Sequence, residues 1–212
     1  AKAARNRVRD AGRVPIKRCK FQPLQDAADG ILRNLEEIQS TPMLHVPRLS
    51  HDPGRGCYSE LVILYQRETN HGPIWVRTRI DHVVFMDGCI WAYDLKVRSR
   101  KGDAHPRRMS QDIAREGYDL QSATYSEGLA KAWPKYAGRI FWCWVYAETS
   151  VPYLVSVRRR DGLFQARGER LWDAACDLWA RGVHRNEWPG YSHAYPLTEP
   201  PGWLEHQENR EL

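Results

Sequence analysis

The chain has 212 residues, of which 42% are hydrophobic and 27% charged; that suits one domain with a proper core and excludes a disordered chain. Its net charge of +6 and pI of about 9.1 suit a polyanionic partner without requiring one. No apolar run is long enough to cross a bilayer and no secretory segment opens the chain, so a soluble cytoplasmic protein is expected.

Ala1–Ala11 is basic and helical in composition and has no initial methionine, which leaves open whether residues precede it. After Pro15 a loop is expected. Pro23–Gln39 then places Leu24, Ala27, Ala28, Ile31, Leu32, Leu35 and Ile38 on one stripe of a helix, despite the helical penalty of Gly30. Thr41–Gly56 reads as a solvated loop, with Arg48, His51 and Arg55 as alternative phosphate contacts. Ser59–Gln66 is a first strand with Glu60 at its start. A turn through Asn70-His71-Gly72-Pro73 leads to Ile74–Met86, where Trp75, Arg77, Arg79 and Asp81 alternate with Ile74, Val76, Thr78 and Ile80.

From Arg79 to Lys96 the chain reads as a hairpin, because Asp87-Gly88 between two apolar, β-branched runs is a strong turn signal. Asp94 and Lys96 are two residues apart and share one face; Trp91, Tyr93, Leu95 and Val97 share the other. Asp81 interrupts the first strand, with Val83 and Phe85 following on its own face. A half-buried acid is unfavourable without a cation against it. Asp81 beside Asp94-Leu95-Lys96 answers that need: two carboxylates can share a divalent cation, and the ammonium can meet a phosphate or a water. The pattern is that of a metal-dependent phosphodiesterase centre. Structural salt bridges to the neighbouring arginines are the plainer alternative.

Val97–Pro106 is a polar, basic loop beside this centre, so Arg98, Arg100, Lys101, Arg107 and Arg108 are candidates for holding phosphates, or simply a wet surface. Pro106 is placed to start a helix and Gly117 to divide it in two. Tyr118, Gln121 and Tyr125 then fall on one face, which on its own terms packs tyrosines on the sheet. Gly138–Glu148 and Val151–Arg159 are strands, the first nearly all apolar and therefore central. Gly162–Arg181 is a helix with Phe164, Leu171, Trp172, Ala175, Leu178 and Trp179 along one stripe and Gly182 placed to end it. The remainder is Pro-rich and aromatic and ends, at residues 205–212, in a charged, disordered tail. Several of the nine tryptophans lie in these last segments and could stack on bases, although core filling or a subunit contact is the commoner use. The five cysteines form no Cys-x-x-Cys pair and the eight histidines no His-x-x-x-His pair, so reduced thiols are expected and neither zinc nor an iron–sulfur cluster is.

An acid, a hairpin, then Asp-x-Lys, followed by GYDLQSATY at 117–125, resembles the PD-(D/E)xK nucleases, in the RecE or exonuclease VIII branch and its phage-encoded relatives. SELVILY (59–65), VPYLVSV (151–157), WPGY (188–191) and PPGW (200–203) look like further landmarks, so the resemblance runs from about Lys2 to Trp203. It implies an α/β fold with a restriction-endonuclease-like core, a central mixed sheet flanked by helices, as a single domain over residues 1–204 with the active centre at one sheet edge. It implies Mg²⁺ or Mn²⁺ held by Asp81, Asp94, Glu60 and the carbonyl of Leu95, and Lys96 acting on the attacking water. Gln121 and Tyr125 would help place the lysine or the DNA backbone, with Arg79 and Tyr118 among the DNA-binding residues. The implied activity is 5′-to-3′ degradation of duplex DNA ends in phage or prophage recombination or repair, inside a bacterial or phage-infected cell. The implied partners are a single-strand annealing protein and further copies of the chain in a ring. One departure stands out: the histidine that such proteins carry upstream of the first acid has no matching motif here. An inactive DNA-binding module, an assembly subunit and an endonuclease of the same fold therefore stay open as alternatives.

Overall fold

A computed structural model of the chain describes residues 18–40, 52–99, 102–188 and 190. Arg48, His51, Arg100, Lys101 and the expected tail lie outside these. The described residues form a five-stranded mixed sheet in the order β1 (Cys57–Arg67), β2 (Ile74–Met86), β3 (Cys89–Arg98), β4 (Ile140–Glu148), β5 (Val155–Arg159). Around it pack α1 (Arg18–Ser40), α2 (Pro106–Glu116), α3 (Tyr118–Ala132) and α4 (Gly162–Arg185). Only β3 and β4 are parallel, and α2 with α3 supplies the crossover that a parallel pair requires. The fold is therefore α/β with helices flanking a mixed sheet. Among the described residues no helix is long and apolar enough to cross a membrane.

Two cores result. The larger, under α2, α3 and α4, gathers Ile63, Val76, Ile80, Ile90, Trp142 and Tyr146 among others. The smaller, under α1, gathers Leu35, Cys57, Val84, Tyr93, Cys143 and Val145. Apolar side chains on both faces of β4 explain why its run from Trp142 to Glu148 is buried without alternation.

The sheet divides. β1 and β2 pair from Cys57↔Val84 to Arg67↔Ile74, and β3 and β4 from Ile90↔Ile140 to Arg98↔Glu148. β2 and β3, however, are joined by only five pairs, from His82↔Tyr93 to Met86↔Cys89 next to the turn. Asp87 (φ 52°) and Gly88 (φ 70°) are both left-handed, as a tight two-residue hairpin turn requires. Beyond His82 and Tyr93 the two ladders separate, leaving a fork. At the same level β1 and β2 exchange faces: Ile63 and Ile80 enter the larger core, whereas Cys57 and Val84, in the same alternation, enter the smaller one. Glu60, left-handed at φ 55°, is missing from the ladder between Ser59↔His82 and Leu61↔Ile80, opposite Asp81.

Several boundaries differ from those expected. α1 begins at Arg18 and runs through Pro23; Leu24 and Leu32 are more than half exposed, which narrows its buried stripe to Ala27, Leu35 and their neighbours. Gly30 is a packing residue, because a Cβ there would fall 2.2 Å from the Tyr153 ring. β5 starts at Val155, behind a turn at Val151–Pro152. Gly182 does not end α4, which continues to Arg185 and closes on Asn186 (φ 52°); the bare Cα of Gly182 instead admits Trp188. The inward stripe of α4 is Phe164, Gly168, Trp172, Cys176 and Ala180, while Leu178 and Trp179 are 56% exposed.

Candidate active site

On β3 the alternation carries Ile90 and Ala92 into the larger core, and the same face then presents Asp94 and Lys96. Asp94 is 2% exposed. Such burial demands a partner, and Lys96 Nζ lies 2.7 Å from Asp94 Oδ2. Gly117, left-handed at φ 70°, ends α2 and starts α3, so that Tyr118 and Gln121 come over this pair. Lys96 Nζ donates to Gln121 Oε1 (2.9 Å) and sits 3.9 Å from the centre of the Tyr118 ring. Gln121 Nε2 in turn donates to Asp94 Oδ1 (3.1 Å), which closes a triangle of acid, ammonium and amide.

Asp81 stands where β2 leaves β3. Its Oδ2 accepts a hydrogen bond from the Leu95 amide at 2.8 Å, in the position a strand neighbour would otherwise fill. Burial pushes the Asp94 carboxyl above the usual carboxylate range; Lys96 opposes this, the charge of Asp81 adds to it, and Gln121 opposes it again. The two acids and the lysine thus meet at the fork. This lies on β3, the middle strand, and so corrects the expectation of a site at a sheet edge.

Asp94 Oδ2 is buried, with Lys96 as its charge partner and no hydrogen bond of its own. With Asp81 and the Leu95 carbonyl it offers oxygen donors of the kind hard cations take. Among the described residues no group of three or more His, Cys, Asp or Glu side chains converges. Glu60 turns to Arg79 instead (3.1 Å), and both side chains are more than half exposed. The donor set fits a single ion that keeps water or phosphate oxygens in its shell, as Mg²⁺ does.

The other expected residues fall around this cluster or away from it. Arg98 is held inward, donating to Tyr118 Oη (3.2 Å) and pairing with Asp112 (3.2 Å). Arg107 and Arg108 are exposed in the first turn of α2, with Arg108 reaching Asp103 at 3.5 Å. A cleft of about 380 Å³ opens between Arg98, Asp103, Arg108 and Arg115. Tyr125 is not brought to the cluster; its ring packs edge-on against Trp142 at 5.7 Å in the larger core. Arg55 pairs with Asp52 at the surface.

Sequence reasoning passed over Glu148. This acid is fully buried at the end of β4, and its Oε1 accepts from the amides of Gly102 and Ala104, both at 2.9 Å. It fixes the path of the loop that leaves β3 directly after the site. The signal was present as a single carboxylate closing the apolar run IFWCWVYAE.

The fold is similar to the crystal structure of a "Putative exonuclease" from Eubacterium rectale, with a TM-score of 0.55 and 12% identity over 89% of this chain. The chain spans 66% of that protein's length. It also matches the crystal structure of SSO0001 at a TM-score of 0.37 and 12% identity, covering 74% of this chain and 60% of that one, a likeness too low to bear on the fold. No protein-family model matches the sequence, and neither does any curated protein. At such identity the Eubacterium rectale structure shows a shared fold.

Proposed function

We propose that the chain is a metal-dependent deoxyribonuclease of the PD-(D/E)xK type, and within it a RecE-like exonuclease acting 5′-to-3′ on duplex DNA ends. The observation that carries the reading is the convergence of Asp81, Asp94, Lys96 and Gln121 at the fork. The alternative of acids spent on structural salt bridges to arginine explains neither Asp81, which takes a backbone amide, nor Asp94, which takes the lysine two residues on. A fold shared with a protein described as an exonuclease is consistent with it.

Asp81, Asp94 and the Leu95 carbonyl would hold Mg²⁺ or Mn²⁺, which when bound polarises a phosphodiester and acidifies a water. The chain's own groups supply the rest. Lys96, held by Asp94, Gln121 and the Tyr118 ring, keeps its ammonium at one point, where it orients the attacking water and offsets negative charge growing on the phosphorus oxygens. Gln121 fixes that ammonium and, by donating to Asp94 Oδ1, fixes the carboxylate beside it. Arg107 and Arg108, both exposed at the start of α2, would hold the phosphate backbone in this reading. A single-strand annealing protein and a ring of copies are the partners in keeping with this reading.

Incubation of linear and circular duplex DNA with the protein and Mg²⁺ tests it. Degradation of the linear form alone, lost in Asp94→Asn, is expected. No hydrolysis of either form with Mg²⁺ or Mn²⁺ would overturn the reading, and cleavage of the circle would convert it to an endonuclease.

A further inference from the structure

The outer face of β2 carries Trp75, Arg77 and Arg79 in alternation, and the next residue in that series is Asp81 at the fork. Trp75 is 68% exposed, the most open tryptophan among the described residues. α1 covers the sheet over β4 and β5, and among the described residues no helix covers this face: its cross-strand neighbours Val62 and Leu64 are 48% and 63% exposed. Leu64 stands opposite Arg77, and Val62 opposite Arg79. Arg77 makes no ion pair among the described residues. Among the described residues Arg79 pairs with exposed Glu60 alone, a surface contact that a phosphate can replace at little loss.

We infer that this row is a track for one extended polynucleotide strand, leading along β2 to the fork: Trp75 stacks a base and Arg77 and Arg79 take successive phosphates. Alternate residues on a strand lie about 6.5 Å apart, comparable to the phosphate spacing of an extended single strand. A tryptophan face beside aliphatic side chains takes an unstacked base of any identity, which a duplex does not offer. A single row of cations also follows one backbone and not two. The charge is complementary to a polyanion, and the row ends at Asp81; Asp94 and Lys96 stand on the opposite face of the sheet, so the strand reaches them through the gap where β2 and β3 cease to pair. The inference rests on the nuclease reading for the fate of the strand, though not for its binding.

The test is equilibrium binding of a fluorescent oligo(dT) to the full chain without added metal, as a function of salt. Trp75→Ala is expected to weaken binding on the order of tenfold. Arg77→Gln should flatten the slope of log affinity against log salt by about 0.7, the value for one single-strand phosphate contact. Lys131→Gln, at an exposed position in the last turn of α3, leaves both unchanged. Circular dichroism confirms that the variants fold, as expected for such open positions. Wild-type affinities in both variants would overturn the track, as would a wild-type chain that binds duplex but no oligo(dT). A wild-type chain that dimerises through this face, with Trp75→Ala monomeric and oligo(dT) binding intact, would overturn it in favour of a second copy. Hydrolysis of bis(p-nitrophenyl) phosphate by the wild-type chain with Mn²⁺ reports the fork separately, because that small diester is too short to reach Trp75. Failure there overturns the nuclease reading and leaves the oligonucleotide result to decide the track.

Discussion

Asp81 and Leu95 belong to strands that have ceased to pair, yet the carboxylate of one accepts the amide of the other at 2.8 Å. The side chain occupies the place of a ladder bond and keeps the fork from opening at its apex. Asp81→Asn retains an acceptor oxygen for Leu95 while removing a charge beside Asp94. We expect its thermal midpoint to stay near that of the wild type and metal-supported DNA cleavage to fall by about 100-fold or more. Asp81→Ala also loses the hydrogen bond and should be destabilised by about 1–3 kcal/mol in urea unfolding. Undiminished cleavage by Asp81→Asn would remove Asp81 from the site.

Lys96 is the charge partner of a carboxylate that is 2% exposed. Lys96→Met strands that carboxylate and should destabilise the fold by about 3 kcal/mol near neutral pH. Because the folded-state pKa of Asp94 is raised, the folded state holds the proton more tightly, and this group's contribution to stability falls as pH rises through the window from the ordinary carboxylate value to the raised one. Removing Lys96 extends that window upward. The variant should therefore regain stability on acidification more than the wild type does, and Asp94→Asn combined with Lys96→Met should lose this dependence. Parallel melting curves across pH for all of these would count against the buried pair.

Glu148 offers a contrast, since both partners of its Oε1 are backbone amides. Glu148→Gln preserves that acceptor, and its new amide N–H faces the buried position of Oε2, which has no hydrogen bond. Stability should change by less than about 1 kcal/mol. Glu148→Ala leaves two buried amides unpaired and should cost about 2–4 kcal/mol, with protease cleavage appearing near residue 102 under native conditions. If the two variants unfold at the same urea concentration, the loop is not held by this residue.

Gly168 lies where α3 and α4 cross, and a Cβ there would sit 2.2 Å from the Asp119 carbonyl oxygen. Gly168→Ala gains about 1 kcal/mol in helix propensity. The added methyl nevertheless has to push the helix backbones away from each other, because the obstacle is not a movable side chain. A net loss of about 1–3 kcal/mol is expected in chemical unfolding, and a stabilised variant would refute the crossing.

Much of the architecture is legible in the sequence because it follows from local chemistry. Asp87-Gly88 forces its turn, Pro106 and Gly117 bracket α2, and alternation alone puts Asp94 with Lys96 on one face. Gln121 reaches that pair because Tyr118 and Gln121 share a helix face directly after a left-handed glycine. What alternation could not reveal is its own interruption: β1 and β2 change faces at Glu60 and Asp81, and no residue type announces a paired reversal. Tyr125 shares the face of Gln121 in projection, yet it lies one turn further from Lys96, where Trp142 supplies an aromatic partner. Gly182 reads as a helix stop by residue type, but Trp188 folds back against it and the helix continues. These are tertiary contacts, absent from any window of neighbouring residues.

Glu148 grips the segment after β3 through peptide groups alone, at Gly102 and Ala104, and so is indifferent to which side chains that segment displays. Gly102, left-handed at φ 86°, must stay as it is. The neighbouring exposed positions are free to drift, or to be redesigned, without altering the course of the chain past Lys96. If the proposed function holds, binding preferences at this rim can diverge among descendants of the sequence while Asp81, Asp94 and Lys96 stay where they are.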